Sequence, residues 1–241
     1  MVTALTRLKR AYVTSVRLAG QGLIRTGIAS AEVPPVTDRW AHWRHSLTRI
    51  YDSVAMMELD VPWWTYDAIT EVDGWLSARG VSRRPLRVFE YGSGASTLWL
   101  AARVDEVHTV ENDPEFGRLM AERFAEVQQI SLRIVEPEPS PAPLITSDKD
   151  GYAGLDFTAY VHAIDEVPGE FDLIVIDGRA REACLAHAAD RVAPGGIVLV
   201  DNSRRRRYRD AIAASGLVER RLPGLTPTLP YPDQTSLLTA R

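Results

Sequence analysis

Short apolar runs alternate with helical patterns over the larger, C-terminal part of the chain. Runs of this length, bounded by turn residues, predict buried strands, and the segments between them have the spacing of amphipathic helices. The predicted strands lie at 86–90, 106–110, 130–135, 171–176, 197–200 and 235–239. This alternation predicts an α/β fold with a doubly wound, mostly parallel sheet and right-handed crossovers.

Two stretches depart from this alternation. Residues 1–60 carry helical patterns with no strand-like run, so we expect an N-terminal helical extension followed by one core domain over 61–241. Within that domain, the proline-rich and then aromatic segment 137–169 breaks the rhythm of strands and helices. Long insertions of this kind are typical of lids and substrate-binding loops.

The first 31 residues are basic, with five lysines and arginines before the first acid, Glu32. Their apolar residues recur near helical spacing, which is typical of a helix that rests on an anionic membrane surface. The alternative is a helix that packs on the core domain or on a second subunit of a homodimer. The segment has no continuous apolar run of the kind found in cleaved signals, and no window of the chain has the apolar length of a membrane-spanning helix.

Charge and cysteine content narrow the class of partner. The net charge of −4 and a pI near 5.8 give no general attraction to a phosphate backbone. We therefore expect a small-molecule substrate and no nucleic-acid partner. The single cysteine, Cys184, allows no intramolecular disulfide, which suits a cytoplasmic protein.

A glycine-containing turn joins the first predicted strand to the next helix, as Gly92-Ser93-Gly94. Such a turn exposes backbone N–H groups at the carboxyl edge of the sheet, where a charged or flat ligand can approach. Glu111 ends the next strand about 20 residues later, a position from which a carboxylate can accept hydrogen bonds from ribose hydroxyls. A tight structural turn and an exposed strand-end acid are the alternative interpretations.

These motifs resemble those of class I S-adenosylmethionine-dependent methyltransferases. Val88 to Gly94 is similar to the first motif of that family and Val110 to Asp113 to the second, while Phe171 to Gly178 and Ala193 to Gly196 resemble the fourth strand and the turn before the fifth. The resemblance implies a Rossmann-like fold and S-adenosylmethionine as cofactor. It implies cofactor contacts at Glu90, Tyr91, Gly92, Ser93, Gly94, Ser96, Thr97, Glu111, Asn112, Glu136 and Asp177. A dinucleotide site is disfavoured, because Thr97 stands where the third glycine would be.

Polar residues follow two neighbouring core strands, as Asp177 and as the pair Asp201 and Asn202. We expect these side chains to converge at the sheet edge and to be catalytic. Oxygen donors of this type suit Mg²⁺ or another divalent cation, and the triplet partly resembles the metal site of catechol-type O-methyltransferases. The lysine usual there is absent, since Gly178 is followed by Arg179, so the alternative is that Asp177 orients the substrate without a metal.

Further candidates lie near this edge. Arg179, Arg204 and Tyr160 are candidate substrate-binding residues, because cations at an active-site edge can recognise a phosphate or carboxylate. A solvated helix face is the alternative for Arg204 and the arginines after it. His162, inside the insertion, is a candidate general base, and the histidines show no metal-ligand spacing.

The sequence thus predicts methyl transfer from S-adenosylmethionine to a small molecule, with oxygen favoured over nitrogen as acceptor. Two alternatives remain open. One is a non-catalytic binding or scaffold protein with a methyltransferase-like fold, and the other is aminopropyl transfer on the same fold.

Overall fold

A seven-stranded sheet lies at the centre of the computed structural model, which describes residues 32–49, 53–80 and 84–240. Its strands are β1 (Arg87–Tyr91), β2 (Glu106–Glu111), β3 (Ile130–Ile134), β6 (Phe171–Ile176), β7 (Val192–Val200), β8 (Val218–Gly224) and β9 (Asp233–Thr239). A separate antiparallel pair in the insertion consists of β4 (Glu138–Pro139) and β5 (Leu155–Asp156). The strand order is β3-β2-β1-β6-β7-β9-β8, with the first five strands parallel and β9 antiparallel to both of its neighbours.

Helices cover both faces of this sheet. They are α1 (Arg39–Ser46), α2 (Ser53–Glu58), α3 (Tyr66–Arg79), α4 (Ala95–Ala101), α5 (Pro114–Phe124), α6 (Thr158–Val161), α7 (Arg181–Ala188) and α8 (Arg206–Ala214), with 3₁₀ turns at Leu47–Arg49, His162–Glu166 and Ala189–Arg191. All six residues of β6 are buried, and they alternate between two cores. Leu173 and Val175 pack with α3 and α4, whereas Ile174 and Ile176 pack with α7.

This architecture confirms the predicted doubly wound, mostly parallel sheet. The described part of the predicted helical extension is helical at α1 and α2. The basic segment 1–31, with its predicted membrane or subunit contact, lies outside the described residues. Among the described residues, no helix has both the length and the apolar character needed to cross a bilayer.

The structure corrects two element boundaries. The strand predicted at 197–200 begins earlier, at Val192, which already pairs with β6, and α7 ends before it at Ala188. The Pro194-Gly195-Gly196 turn lies within β7 as an irregularity of register, because proline has no N–H and Gly195 has a φ of +72°. The edge strand β8 has no counterpart among the predicted strands.

The sheet reverses its winding between β1 and β6. From β1 the chain proceeds outward to β2 and β3, and from β6 it proceeds the other way to β7. Ligands of open α/β sheets bind at the carboxyl ends of the strands on either side of such a point.

Candidate functional site

An open cleft of about 800 Å³ lies at this reversal point. One end is lined by the loop after β1 and the end of β2, and the other by the ends of β6, β7 and β9. Residues 147–150 and Tyr152 of the insertion, together with Met56, Trp63 and Leu229, form further parts of its wall. The volume is in the range of small-molecule and cofactor sites.

The loop after β1 (residues 92–94, hereafter the glycine loop) needs glycine at its first position. Gly92 has a φ of +97°, and a Cβ there would lie 2.8 Å from the backbone of Gly178 at the end of β6. At Gly94, in contrast, a Cβ would meet no atom within 4 Å. The loop therefore packs tightly against β6 at Gly92 and leaves open space at Gly94, on the wall of the cleft.

Glu90 supports this loop from beneath. Its buried carboxylate accepts hydrogen bonds of 2.5 Å from the hydroxyls of Ser96 and Thr97, and the Thr97 hydroxyl in turn accepts the N–H of Gly94. Burial raises the pKa of Glu90 to about 7, against the effect of these hydroxyl donors. Ser96 lines the cleft, whereas Glu90 and Thr97 do not.

Tyr91 is also buried away from the cleft, and its hydroxyl donates to the carbonyl of Val161 at 2.7 Å. Glu90, Tyr91 and Thr97 were predicted to contact the cofactor. The structure corrects this expectation, since all three face the core behind the loop.

Glu111 lies at the end of β2 and lines the cleft with 5% of its surface exposed. One carboxylate oxygen accepts the N–H groups of Asn112 and Asp113 at 2.8 and 2.9 Å. The other accepts the N–H and the hydroxyl of Ser93, each at 3.0 Å. This carboxylate therefore ties the glycine loop to the end of β2.

Asp177, at the end of β6, is held by a buried arginine at the other end of the cleft. Nη2 of Arg181 donates to the Asp177 carboxylate and to its backbone carbonyl, each at 2.6 Å. The same guanidinium donates to the carbonyls of Gly178 and Asp201, at 3.1 and 2.5 Å. Burial raises the pKa of Asp177, while Arg181 and Arg179 oppose that rise. Arg181 thus fixes the carboxylate and compensates its charge.

Asp201 and Asn202 are bound to the start of β9. The Asp201 carboxylate accepts the hydroxyl of Thr235 at 2.9 Å, and burial together with the Asp177 charge raises the pKa of Asp201 well above its usual range. Asn202, with a φ of +50°, donates its side-chain N–H to the carboxylate of Asp233 at 2.9 Å. The two predicted residues and Asp233 all line the cleft.

The predicted divalent cation does not fit this arrangement. One oxygen of Asp177 and one of Asp201 already accept hydrogen bonds, and the permanent positive charge of Arg181 is present at the edge. The third predicted ligand, Asn202, is held by its side-chain N–H on the carboxylate of Asp233. We therefore assign no step of the chemistry to a metal here.

Arginines near the cleft divide into two groups. Arg179 and Arg205 line the cleft, and neither is paired with a carboxylate of the described residues. Arg207 also lines it but is paired with Asp148 at 2.8 Å and with Glu182. The predicted substrate contact Arg204 is exposed and does not line the cleft. Arg204 lies two residues before the first residue of α8, and its side chain is exposed to solvent.

Three other predicted site residues lie elsewhere. Tyr160 is fully buried, with its hydroxyl 2.0 Å from where a Cβ of Gly178 would lie, so it packs behind β6 rather than against a substrate. Glu136 is exposed, beyond the end of β3, and does not line the cleft. His162 is exposed on the surface and bound to Asp165 at 2.9 Å, so its predicted role as general base is wrong.

Sequence reasoning missed Arg181 and Asp233 as site residues. The signal for Arg181 was available, because it follows Asp177 by four residues in the first turn of the next helix. Tyr152, one of the aromatic residues of the insertion, lines the cleft and accepts a hydrogen bond from Asn112 at 3.3 Å. It connects the insertion to the end of β2.

Comparison with known proteins is consistent with this site. Residues 89–203 match a family model described as a methyltransferase domain. That segment runs from β1 past the end of β7 and so includes both ends of the cleft. The matched segment is thus a methyltransferase domain with the Rossmann-like fold of class I methyltransferases, and S-adenosylmethionine is the cofactor of that family.

Three solved structures are similar to this chain at low sequence identity. The CurJ carbon methyltransferase is 14% identical over 92% of this chain and 70% of its own, with a TM-score of 0.50. A methyltransferase-like protein from Silicibacter pomeroyi DSS-3 is 21% identical over 68% of this chain and 84% of its own, with a TM-score of 0.43. TrmN from Thermus thermophilus is 16% identical over 70% and 48%, with a TM-score of 0.47. The search of curated proteins found no match.

Proposed function

We propose that this enzyme transfers the methyl group of S-adenosylmethionine to a hydroxyl oxygen of a small acceptor that carries a carboxylate or phosphate. The observation that carries the proposal is the Asp177 carboxylate. It lies on the cleft wall, and Arg181 fixes its orientation. Two arginines without a carboxylate partner, Arg179 and Arg205, line the same cleft.

The end of the cleft formed by the glycine loop suits the cofactor. The open space at Gly94 admits a ligand against the backbone, and Glu111 presents an acceptor for ribose hydroxyls at the end of β2. All four lone-pair positions of the Glu111 carboxylate are used within the protein. Of its donors, the Ser93 hydroxyl alone can rotate away, so ribose binding requires that rotation.

The other end of the cleft suits the acceptor. S-adenosylmethionine supplies an electrophilic methyl group on a sulfonium. The protein's part is to hold the acceptor oxygen in line with that methyl and to remove its proton, which passes to the Asp177 carboxylate. The paired Arg181 favours the ionised form of that carboxylate, against the effect of burial, and orients it before the reaction. The carbon–oxygen bond forms as the carbon–sulfur bond breaks.

The charge on the acceptor is inferred from Arg179 and Arg205. Cations that line a cleft without a paired carboxylate attract an anionic ligand, and guanidinium groups bind carboxylate and phosphate with two hydrogen bonds. An acceptor with one hydroxyl and one such group would span from Asp177 to these arginines. We do not propose a nucleic-acid acceptor, because the net charge of −4 gives no general attraction to a phosphate backbone.

A screen for product formation tests the proposal. Purified protein is incubated with S-adenosylmethionine and pairs of compounds that differ only in a carboxylate or phosphate, and S-adenosylhomocysteine release is measured. We expect turnover with hydroxylated acids and less with their uncharged or amino counterparts. Turnover confined to amines, or to uncharged acceptors, would contradict the acceptor class. No specific contact of the described residues favours a scaffold protein or aminopropyl transfer. Absence of any S-adenosylmethionine binding would favour the scaffold protein.

A further inference from the structure

A second polar cluster lies outside the cleft, where the insertion meets α7. It consists of His162, Asp165 and His187, and none of the three lines the cleft. The Asp165 Oδ2 lies 2.9 Å from Nδ1 of His162 and 2.8 Å from Nε2 of His187. The two imidazole rings are 4.0 Å apart between centroids. One nitrogen of each ring thus points at the same carboxylate oxygen.

Both supports of this cluster are firmly placed. His187 lies in the last turn of α7, whose residues Cys184 and Leu185 are buried in the core. The other two residues lie in the 3₁₀ turn His162–Glu166. Arg191 anchors that turn by donating to the carbonyls of Ile164 and Val167, at 3.0 and 2.6 Å.

The chemistry of the three groups is that of a transition-metal site. Two imidazole nitrogens and one carboxylate oxygen, all within 4.8 Å of one another, are a common ligand set for Zn²⁺. Tetrahedral coordination by such donors needs ligand atoms about 3.3 Å apart. The nitrogen–oxygen distances of 2.8 and 2.9 Å therefore have to open by about half an ångström, which exposed side chains can do. Exposure also leaves the remaining coordination position to water.

Charges around the cluster moderate its affinity. Arg191 lies 3.4 Å from the other oxygen, Oδ1, of Asp165, so it leaves Oδ2 to the metal but repels a cation. The C-terminal end of α7, where His187 lies, favours a cation. Glu166, in the same turn, is paired with Arg133, so the two charges together neither attract nor repel a cation.

We propose that His162, Asp165 and His187 bind one divalent transition-metal ion, such as Zn²⁺, that joins the insertion to α7. Each imidazole coordinates through its neutral nitrogen, with the ring proton on the other nitrogen, and Asp165 coordinates as the carboxylate. The ion takes no part in methyl transfer, since its ligands are not on the cleft wall. It links the segment that carries Tyr152 and residues 147–150 to the core.

The test uses untagged, metal-stripped full-length protein titrated with Zn²⁺ at pH 7.5 by calorimetry, with Co²⁺ absorption as an independent measure of coordination. We expect one ion per chain, and affinity at least tenfold weaker in His187→Ala and in His162→Ala. His108→Ala is the matched control, because His108 also contacts a carboxylate, Glu106 at 3.3 Å, but has no second histidine.

Asp165→Asn removes a ligand with little change of side-chain size, so it still tests the site if a histidine variant does not fold. The midpoint of thermal unfolding shows whether each variant is folded. Zn²⁺ should raise that midpoint in wild type and in His108→Ala and leave it unchanged in the other three variants. No binding by wild type, or equal binding by wild type and His187→Ala, would overturn the proposal. The assay needs neither S-adenosylmethionine nor an acceptor, so its outcome is independent of the proposed reaction.

Discussion

The two ends of the cleft hold their polar groups in different ways. At the end formed by the glycine loop, each contact joins residues at most 18 positions apart: Glu90 is bound by Ser96 and Thr97, and Glu111 by Ser93 and by the N–H groups of the two residues that follow it.

At the other end, Asp201 depends on Thr235 and Asn202 on Asp233, which are 34 and 31 residues away. The first end is therefore formed within the unit from β1 to β2, whereas the second combines a local pair, Asp177 with Arg181 four residues later, with contacts that require β9.

Asp177→Asn is expected to have the largest effect on turnover. It distinguishes the acceptor end of the cleft from the cofactor end, because it changes only the acceptor end. An amide cannot take the acceptor proton, so turnover with a hydroxylated acid should fall by about 10²- to 10⁴-fold. Affinity for S-adenosylhomocysteine should stay within about tenfold of wild type, or roughly 1.4 kcal/mol. Asp233→Asn is the control, since its amide oxygen can still accept from Asn202. Equal loss of turnover and of ligand affinity in Asp177→Asn would remove Asp177 from the proposed role.

Alanine substitutions at the two glycines distinguish packing from ligand space. Gly92→Ala combines an unfavourable φ with a clash against Gly178, so the free energy of unfolding should fall by at least about 1–3 kcal/mol. Gly94→Ala meets no protein atom within 4 Å, so its unfolding midpoint should match wild type. Thermal melts with and without S-adenosylhomocysteine check both variants. A Gly94→Ala protein stabilised by the ligand as strongly as wild type would show that the ligand does not approach this backbone.

Glu90 should make stability depend on pH. Because its folded pKa is about 7 and its ordinary value 4.5, the folded state keeps a proton that the unfolded state releases first. The contribution to stability is complete below about pH 4.5 and declines as pH rises to about 7, by roughly 3 kcal/mol. Glu90→Gln stays neutral, so its stability relative to wild type should increase from pH 5 to pH 8 in denaturant melts. Glu122→Gln, at an exposed site on α5, is the control, and parallel curves for Glu90→Gln and wild type would contradict this account.

Ser93→Ala sharpens the role of Glu111. Removing the hydroxyl frees one acceptor position on the carboxylate, so S-adenosylhomocysteine should bind as well as to wild type or more tightly. Ser96→Ala, on the same cleft wall but bound to Glu90, gives no such gain. Weaker binding by Ser93→Ala, measured by calorimetry, would mean that the hydroxyl contacts the ligand itself.

A chelator is expected to have no effect on the reaction. Because Arg181 supplies the positive charge at the acceptor end, turnover in excess EDTA should equal turnover in its absence. A chelator that abolished turnover, with recovery on adding Mg²⁺, would restore the metal-dependent interpretation of Asp177, Asp201 and Asn202.

The sequence predicted the strands that are buried on both faces, because a continuous apolar run such as residues 173–176 is typical of a parallel strand covered by helices on both sides. It missed the edge strand β8, where only Leu222 is buried and three consecutive charged residues, Glu219, Arg220 and Arg221, precede it. Propensity and pattern are weak signals at such edges.

The same difference applies to the site. The positions of Gly92, Glu111 and Asp177 at strand ends followed from the order of motifs. The order of motifs did not predict which side chains face the cleft. The pleat of β1 and the tilt of the loop decide that orientation, and they turn Glu90 and Tyr91 away from the cleft. The cluster of His162, Asp165 and His187 was missed, since a search for histidine spacing alone ignores the carboxylate between them.

Titration of S-adenosylhomocysteine into wild type and Glu111→Ala tests the central claim most directly, because it probes the cofactor end without knowledge of the acceptor. The account predicts one binding site per chain in wild type, with affinity weakened by at least about tenfold in the variant, as expected for loss of hydrogen bonds to an ionised acceptor. Absence of binding by folded wild-type protein, or the same affinity in both proteins, would contradict it.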